Sequence, residues 1–370
     1  MNVTSHDHSS KEIRLPSGRQ EYDAITAYWL AECSRLSYET DLVAAVKQLN
    51  NIGFSRIIFF DNKGTQAFLA HHPGRKGENP FAVLAFRGTE KDFADILTDI
   101  NIFQGTIEDN QDISSESINP DKDHQNSNLN KKVNSKTERL THRGFFNAFH
   151  DVWSSKLPKE MKKYYPNVRW FGSLGISDVL HNLPKNITLY VTGHSLGGAL
   201  ATLAAFHAKE YHSDVQLYTF GSPRVVNQAF AQKINQRLVG QIYRVVNHVD
   251  IVPRIPALFG YHHVGQLIYF NKLGVQRPLN RRELVDLVIL LLAPIDLGLS
   301  ILTGNRYRPV TTLAHAIKGY SENLLKTIPP RDRRHRNLLL QPSPPAPAYP
   351  VSGVQPIQTP ANLSTLGSRE

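Results

Sequence analysis

Cysteine is nearly absent from this sequence, since Cys33 is the only one in 370 residues. A single cysteine excludes any disulfide within the chain and fits a reducing compartment, or a protein that needs no crosslinks. The first thirty residues also lack the continuous apolar h-region of a secretory signal peptide. From these two absences we expect a cytoplasmic protein in which Cys33 is a small buried side chain.

Acidic residues are outnumbered by basic ones, 32 against 42, which gives a formal net charge of +10. Such a surplus permits contact with nucleic acid or with anionic lipid. No nucleic-acid-binding module accompanies the charge, so we expect no nucleic-acid partner. A peripheral contact with an anionic membrane stays open, because a basic cluster lies near the end of the chain. Its members are Arg331, Arg333, Arg334 and Arg336.

Short apolar runs recur along the chain and are typical of strands that are buried on both faces of a parallel sheet. They lie at 81–86, 187–192, 215–220, 241–246 and 266–270. Helical patterns separate several of them, and a predicted hairpin formed by 55–60 and 66–70 precedes them. This alternation predicts an open α/β sheet flanked by helices.

Two polar stretches fall outside this pattern. Residues 104–140 are rich in Asp, Asn, Ser and Lys, and residues 328–370 are rich in Pro and Ser. Neither composition can supply a packed core. We therefore predict a single domain over 21–327, which contains the polar insertion at 104–140 and an apolar insertion at 281–304. An N-terminal extension at 1–20 and a disordered tail at 328–370 flank that domain.

The most informative segment is ITLYVTGHSLGGALATLAA, in which an apolar strand leads through Gly193, His194, Ser195 and Gly197 into an alanine-rich helix. This is a G-x-S-x-G nucleophile elbow, in which the serine takes a strained backbone conformation. Glycines flank the serine because a Cβ there would collide with the neighbouring strand and helix. The N–H of Leu196, at the helix N-terminus, is the natural first donor to an oxyanion. The pattern predicts Ser195 as a nucleophile.

Further motifs resemble those of the class 3, or fungal-type, lipases. They are FRGT at 86–89, HRGF at 142–145, TFGSPRV at 219–225 and the two stretches NHVDIVPRIP and GYHHVGQLIYF. The resemblance covers 21–325 with gaps. It implies an α/β-hydrolase fold with a mostly parallel central sheet, hydrolysis of carboxylic esters, and neither a metal nor an organic cofactor.

A nucleophilic serine needs a base, and the base needs an acid that orients it. In these folds the chain order is Ser, then Asp, then His. Asp250 follows a strand-like segment and precedes Val252 and Pro253, where a loop must begin. That position lies at the carboxyl edge of the sheet, and the family pattern also has its acid there. We predict Asp250 as the orienting acid.

The base must be selected from 16 histidines. His315 follows the last strand-like segment and matches the family's histidine, which has an aromatic residue, here Tyr320, five positions later. His263, directly before a predicted strand, is the alternative. His142 resembles a structural position of the family, and His194 belongs to the elbow without taking the proton.

The resemblance also implies roles for the residues after FRG. Thr89 would supply the second oxyanion donor, although it also fits a helix N-cap with Asp92 three residues on. An amphipathic helix follows, and in related lipases this region is a lid over the serine. Its apolar positions are Phe93, Ile96, Leu97 and Ile100. A helix permanently packed on the core is the alternative.

The apolar residues 284–303 leave a second choice open. Asp286 and Asp296 interrupt them, so that the uncharged stretch is too short to cross a bilayer. The segment either touches a membrane or acyl chains, or forms a buried helix pair.

Three functions are consistent with these patterns. The first is a lipase that cleaves acylglycerols or phospholipids through an acyl-Ser195 intermediate, and the second is an esterase or thioesterase acting on small esters. The third is a lipase-like scaffold that binds lipid without chemistry. The complete set of Ser195, Asp250 and His315 favours an enzyme, because a scaffold has no need of all three.

Overall fold

A computed structural model describes residues 15, 21–74, 78–88, 143–153, 175–248, 250–256, 260–271, 273–277 and 314–329. Several predictions therefore lie outside the described residues. They concern Thr89, the lid positions Phe93, Ile96, Leu97 and Ile100, the insertions at 104–140 and 281–304, and the tail at 328–370, of which only the first two residues are described.

The described helices are α1 (Ala24–Leu36), α2 (Leu42–Asn51), α3 (Arg143–Trp153), α4 (Ile176–Asn182), α5 (Leu196–Ala208), α6 (Gln228–Arg237) and α7 (Ile317–Thr327). A short 3-10 helix spans Val252–Arg254. The strands are β1 (Arg56–Asn62), β2 (Thr65–His72), β3 (Phe81–Phe86), β4 (Thr188–His194), β5 (Val215–Phe220), β6 (Val226–Asn227), β7 (Ile242–Asn247), β8 (Tyr261–His262), β9 (Gln266–Phe270) and β10 (Gln276–Arg277).

The central sheet has eight strands in the order β1-β2-β3-β4-β5-β7-β9-β10. Its five middle strands run parallel to one another, and these are β3, β4, β5, β7 and β9. Antiparallel strands lie at both edges, where β1 and β2 adjoin β3 and where β10 adjoins β9. Strands β6 and β8 pair separately. The mostly parallel sheet of the α/β-hydrolase fold is thus confirmed.

The predicted hairpin at the start of the sheet is formed by β1 and β2. Asn62 pairs with Thr65, which leaves Lys63 and Gly64 as a two-residue turn. Both turn residues have positive φ, 50° and 83°. A two-residue turn with positive φ at both positions matches the right-handed twist of the flanking strands. Lys63 adopts a positive φ, which is uncommon for a residue with a side chain, because this short connection requires it.

Helices cover both faces of the sheet, and every residue of β3 is buried as a result. Successive side chains of a strand point to opposite faces, so Leu84 and Phe86 join one hydrophobic cluster while Val83 and Ala85 join the other. Helices α3, α4, α5 and α6 line the first cluster, and α1, α2 and α7 line the second. The apolar runs occur in the sequence because these strands are buried on both faces of the sheet.

Helix α1 contains the single cysteine. Cys33 is fully buried in the second cluster, as expected, and burial raises the pKa of its thiol, which keeps it unreactive. The C-terminal end of α1 reaches the carboxyl edge of the sheet, where the Ser37 hydroxyl donates to the Phe86 carbonyl at 3.3 Å. None of the described helices combines the length and the hydropathy that a membrane span requires.

Candidate active site

The predicted elbow lies between β4 and α5, and Ser195 stands at its turn. Ser195 has φ 58° and ψ −129°, a conformation that non-glycine residues rarely adopt. Its N–H donates to the Phe220 carbonyl on the neighbouring strand at 3.0 Å, which holds the strained residue in place. The side chain is buried, with 1% of the residue exposed.

The glycines of the elbow are fixed by close backbone contacts. A Cβ on Gly193 would lie 2.2 Å from the Gly197 carbonyl oxygen, at the start of α5. A Cβ on Gly197 would lie 2.3 Å from the Phe86 carbonyl oxygen, at the end of β3. Real Cβ atoms do not approach backbone so closely, so any larger residue would push the helix away from the sheet. This is the steric reason that the sequence pattern predicts.

Asp250 follows β7 and is completely buried, with 0% exposure. Its Oδ1 accepts the Val252 N–H at 2.9 Å, and its Oδ2 accepts the Tyr320 hydroxyl at 2.5 Å. Donors of this kind stabilise the ionised carboxylate in place of water. Burial, together with the charge of Asp250, holds the pKa of Tyr320 well above its usual range, so the hydroxyl keeps its proton and remains a donor.

His315 lies just before α7, with Nδ1 at 2.9 Å from Oδ2 and 3.0 Å from Oδ1 of Asp250. An ionised carboxylate only accepts hydrogen bonds, so we assign the proton to Nδ1. Nε2 is then left with its lone pair free to accept a proton. Within the described part of the chain, neither this buried Nε2 nor the buried Oγ of Ser195 has a hydrogen-bond partner.

Gly221, in the TFGSPRV motif, makes room for this pair. It has φ +58°, and a Cβ would lie 2.8 Å from Oδ2 of Asp250 and 3.0 Å from both Nδ1 of His315 and the Tyr320 oxygen. Both the backbone conformation and the crowding therefore require glycine. From the sequence, this motif was recognised only by its resemblance to the family. The structure shows why glycine is needed at this position.

The other predicted site residues are placed as follows. His263, the alternative base, is held by its Nε2 at 2.6 Å from the Pro253 carbonyl oxygen. Leu196 is the first residue of α5, at the position expected of the first oxyanion donor. Gly88, the last described residue before Thr89, lies against the elbow, since a Cβ there would be 2.6 Å from the His194 carbonyl oxygen. His142 lies outside the described residues.

Sequence reasoning did not identify two residues that contact this site. The Tyr38 hydroxyl lies 2.9 Å from Nδ1 of His194, although nothing in the local sequence marks a tyrosine just after α1. Asn247 ends β7 and contacts the segment before His315 through the Ala314 carbonyl at 3.2 Å. Its place in the NHVDIVP motif is the only signal that could have drawn attention to it.

The described residues contain no group of three or more His, Cys, Asp or Glu side chains that could hold a metal ion. The side chains of Ser195, His315 and Asp250 are of the types that carry out nucleophilic attack and proton transfer. A strained serine at a strand-helix elbow, with a buried histidine and aspartate pair at the carboxyl edge of a mostly parallel sheet, defines the class of α/β-hydrolases.

Comparison with known families narrows this class. Residues 83–260 match the model of the family "Lipase (class 3)", and the predicted resemblance to the class 3 lipases is confirmed. The matched range contains Ser195 and Asp250 but ends before His315. His315 is therefore a candidate base that rests on its contact with Asp250 and on the aromatic residue five positions later in its own segment.

Two curated relatives each match a short part of this chain. A "Secreted mono- and diacylglycerol lipase 1" of Fusarium solani is 51% identical over 76 residues, which are 20% of this chain and 22% of the relative. "Phospholipase A1-Igamma1, chloroplastic" of Arabidopsis thaliana is 39% identical over 84 residues, 20% of this chain and 16% of the relative. This chain thus spans well under two thirds of these relatives.

Among solved structures, a lipase from Rhizopus microsporus var. chinensis is similar over 71% of this chain and 80% of that chain. The sequence identity is 23% and the TM-score is 0.43.

The expectation of a cytoplasmic protein is contradicted by these comparisons, because the matched relatives carry the names of secreted and chloroplastic enzymes. The scarcity of cysteine was a poor guide to the compartment. A domain of this size buries two large hydrophobic clusters and does not depend on disulfides for stability, whichever compartment holds it.

Proposed function

We propose that this protein is a lipase that hydrolyses carboxylic esters of acylglycerols or phospholipids through an acyl-Ser195 intermediate. The observation that carries the proposal is the buried contact of His315 Nδ1 with Asp250, which leaves Nε2 free to act as a base beside the elbow. The family match and the names of the relatives, which are acylglycerol lipases and a phospholipase A1, support lipid esters as substrates.

The proposed reaction has two halves, both of which use the same proton carrier. His315 Nε2 takes the proton of the Ser195 hydroxyl as Oγ attacks the ester carbonyl, and the charge of Asp250 stabilises the imidazolium. His315 then returns the proton to the leaving alcohol. A water molecule, activated in the same way, releases the fatty acid from Ser195.

Backbone donors stabilise the negative charge that develops on the substrate oxygen. The Leu196 N–H, at the N-terminus of α5, is the first proposed donor, because helix N-termini present free N–H groups and a positive dipole end. Thr89, the residue after the FRG strand end, is the second.

The apolar positions Phe93, Ile96, Leu97 and Ile100 are proposed as a lid.

The proposed lipase domain comprises residues 21–327, with the insertions and flanking segments stated above. We further propose a peripheral contact with anionic membranes, supported by the net charge of +10 and by the apolar residues 284–303. Co-sedimentation with anionic vesicles at low and high salt tests this contact. A protein that stays in the supernatant under both conditions does not make it.

Two measurements test the proposed enzyme. A fluorophosphonate probe should label the wild-type protein and leave Ser195→Ala and His315→Ala unlabelled, because only an activated serine reacts rapidly. A panel of tri-, di- and monoacylglycerols and phospholipids then identifies the substrate. If Ser195→Ala is labelled as fast as the wild type, Ser195 is not the nucleophile. If the protein hydrolyses only small soluble esters, it is an esterase and not a lipase.

A further inference from the structure

We propose that His194 and Asn247 are positioning residues, which hold two successive backbone carbonyls of the segment that carries His315 and thereby direct its Nε2 towards Ser195. The inference rests on the proposed function, because it assigns these residues a role in the reaction of His315. His194 is the last residue of β4 and Asn247 is the last residue of β7.

His194 holds the carbonyl of His315 itself. Its Nε2 lies 2.5 Å from that oxygen, and its Nδ1 lies 2.9 Å from the Tyr38 hydroxyl. A carbonyl oxygen can only accept, so Nε2 must carry the proton and Nδ1 must accept from Tyr38. Burial, and next the charge of His315, lower the pKa of His194 well below its ordinary value, which keeps the ring neutral in this one tautomer. Tyr38 therefore sets the direction in which His194 donates.

Asn247 holds the preceding carbonyl. Its Nδ2 donates to the Ala314 oxygen at 3.2 Å, while its Oδ1 accepts from Nδ2 of Asn323 in α7 at 3.0 Å. The second contact fixes which end of the amide faces Ala314. Strands β4 and β7 are separated by β5 in the sheet, so the two contacts reach the His315 segment from separate strand ends.

The helical backbone is interrupted directly after His315, so α7 does not hold this residue in place. Ala314 and His315 are helical, whereas Ala316 has φ −58° and ψ 130° and gives α7 no side-chain cap. The ring of His194 also packs on the ring of His315, with centroids 4.5 Å apart and an angle of 32° between the planes. A neutral ring beside the base adds no positive charge that would oppose its protonation during catalysis.

The energetic reason for positioning is the steep dependence of proton transfer on geometry. Asp250 holds only one ring nitrogen of His315, whereas the two carbonyl contacts fix the peptide from which the ring projects. Displacement of a reacting group by about 1 Å can cost about 10²-fold in rate. Loss of either contact should therefore lower kcat while leaving substrate binding unchanged.

The test compares His194→Phe and Asn247→Ala with two matched controls. His212→Phe removes the same kind of contact far from the site, where Nε2 of His212 lies 2.9 Å from the Leu180 oxygen. Asn62→Ala removes an amide that donates to the Asp151 oxygen at 2.6 Å. For each variant, kcat and KM on a soluble short-chain ester, the rate of fluorophosphonate labelling and the Tm are measured.

We expect His194→Phe and Asn247→Ala each to lower kcat and the labelling rate by about 10- to 100-fold with little change in KM. The controls should lower the Tm by a similar amount and leave kcat within about 2-fold, because they act only on stability. The double variant should lose less than the product of the single losses, since both contacts act on the same His315 segment. Losses no larger than those of the controls, or losses confined to KM, overturn the inference.

Should His194→Phe not fold, Tyr38→Phe and Asn247→Ala decide the question. Tyr38→Phe keeps the ring and removes the hydroxyl, which lies 2.9 Å from Nδ1 and 3.4 Å from the carbonyl oxygen of His194, so kcat should fall by several-fold. Unchanged kcat in both variants overturns the inference. Failure of the proposed function gives a different result, in which Ser195→Ala and His315→Ala remain active. If these two are inactive and the positioning variants behave like the controls, only the positioning inference is wrong.

Discussion

Replacement of Asp250 by asparagine tests the assignment of the orienting acid, because the change keeps the shape of the side chain while it removes the negative charge and turns one acceptor into a donor. The Val252 N–H requires an oxygen at the Oδ1 position, so the new NH2 group must occupy the Oδ2 position, facing Tyr320 and Nδ1 of His315. Nδ1 then lies 2.9 Å from a donor, and we expect it to accept from that NH2 group, although the retained Oδ1 is 3.0 Å away. The proton of His315 moves to Nε2, where it blocks the transfer from Ser195.

The expected loss in kcat for Asp250→Asn is roughly 10⁴-fold, the size found when this exchange is made in a Ser-His-Asp triad. At about 1.4 kcal/mol for each factor of ten, that corresponds to about 5.5 kcal/mol of transition-state stabilisation. One hydrogen bond to a charged group contributes only about 1.5–3 kcal/mol, so the loss of a single contact does not account for an effect of this size. The wrong tautomer does account for it.

Hydrolysis of a soluble ester measures this effect, with Tyr320→Phe as the matched control. That variant removes the hydroxyl that donates to the same Oδ2, while it leaves the carboxylate and the Nδ1 proton in place. We expect Tyr320→Phe to lower kcat by about 10-fold or less and to reduce stability by about 1.5–3 kcal/mol. A value of kcat for Asp250→Asn within 10-fold of the wild type, or equal losses in the two variants, refutes the tautomer argument.

Three further predictions concern other parts of the site. Gly197→Ala should reduce the free energy of unfolding in urea by about 1–3 kcal/mol or more, because its Cβ would lie 2.3 Å from the Phe86 oxygen; a stability equal to that of the wild type would be inconsistent with this packing. Thr89→Val should lower kcat by roughly 10²- to 10³-fold at constant KM, and an effect on KM alone would assign Thr89 to substrate packing instead. Burial lowers the pKa of His194 and His212, so below about pH 6.5 the unfolded chain binds protons that the folded protein does not. Stability should therefore fall as the pH decreases, by up to about 1.4 kcal/mol per pH unit for each histidine, and urea unfolding that is independent of pH between 7 and 5 would contradict this.

The sequence by itself determined the features that depend on neighbours along the chain. The apolar runs predicted the strands of the sheet, because burial on both faces leaves no alternation of polar residues. The elbow followed from Gly193, Ser195 and Gly197, since the conflict that excludes a Cβ on Gly193 arises with Gly197, four residues later across a single turn. The order Ser, Asp, His then pointed to Asp250 at the end of a strand.

Only the tertiary structure decided which distant side chains meet at this edge. Spacing along the chain does not determine whether His263 or His315 approaches Asp250, and the structure holds the first on the Pro253 carbonyl and the second on the carboxylate. Tyr38 lies 156 residues before His194, and no local pattern predicts a contact across that separation. Such contacts arise because parallel strands end at one edge of the sheet, so residues far apart in sequence are brought together where β4, β7 and the start of α7 meet.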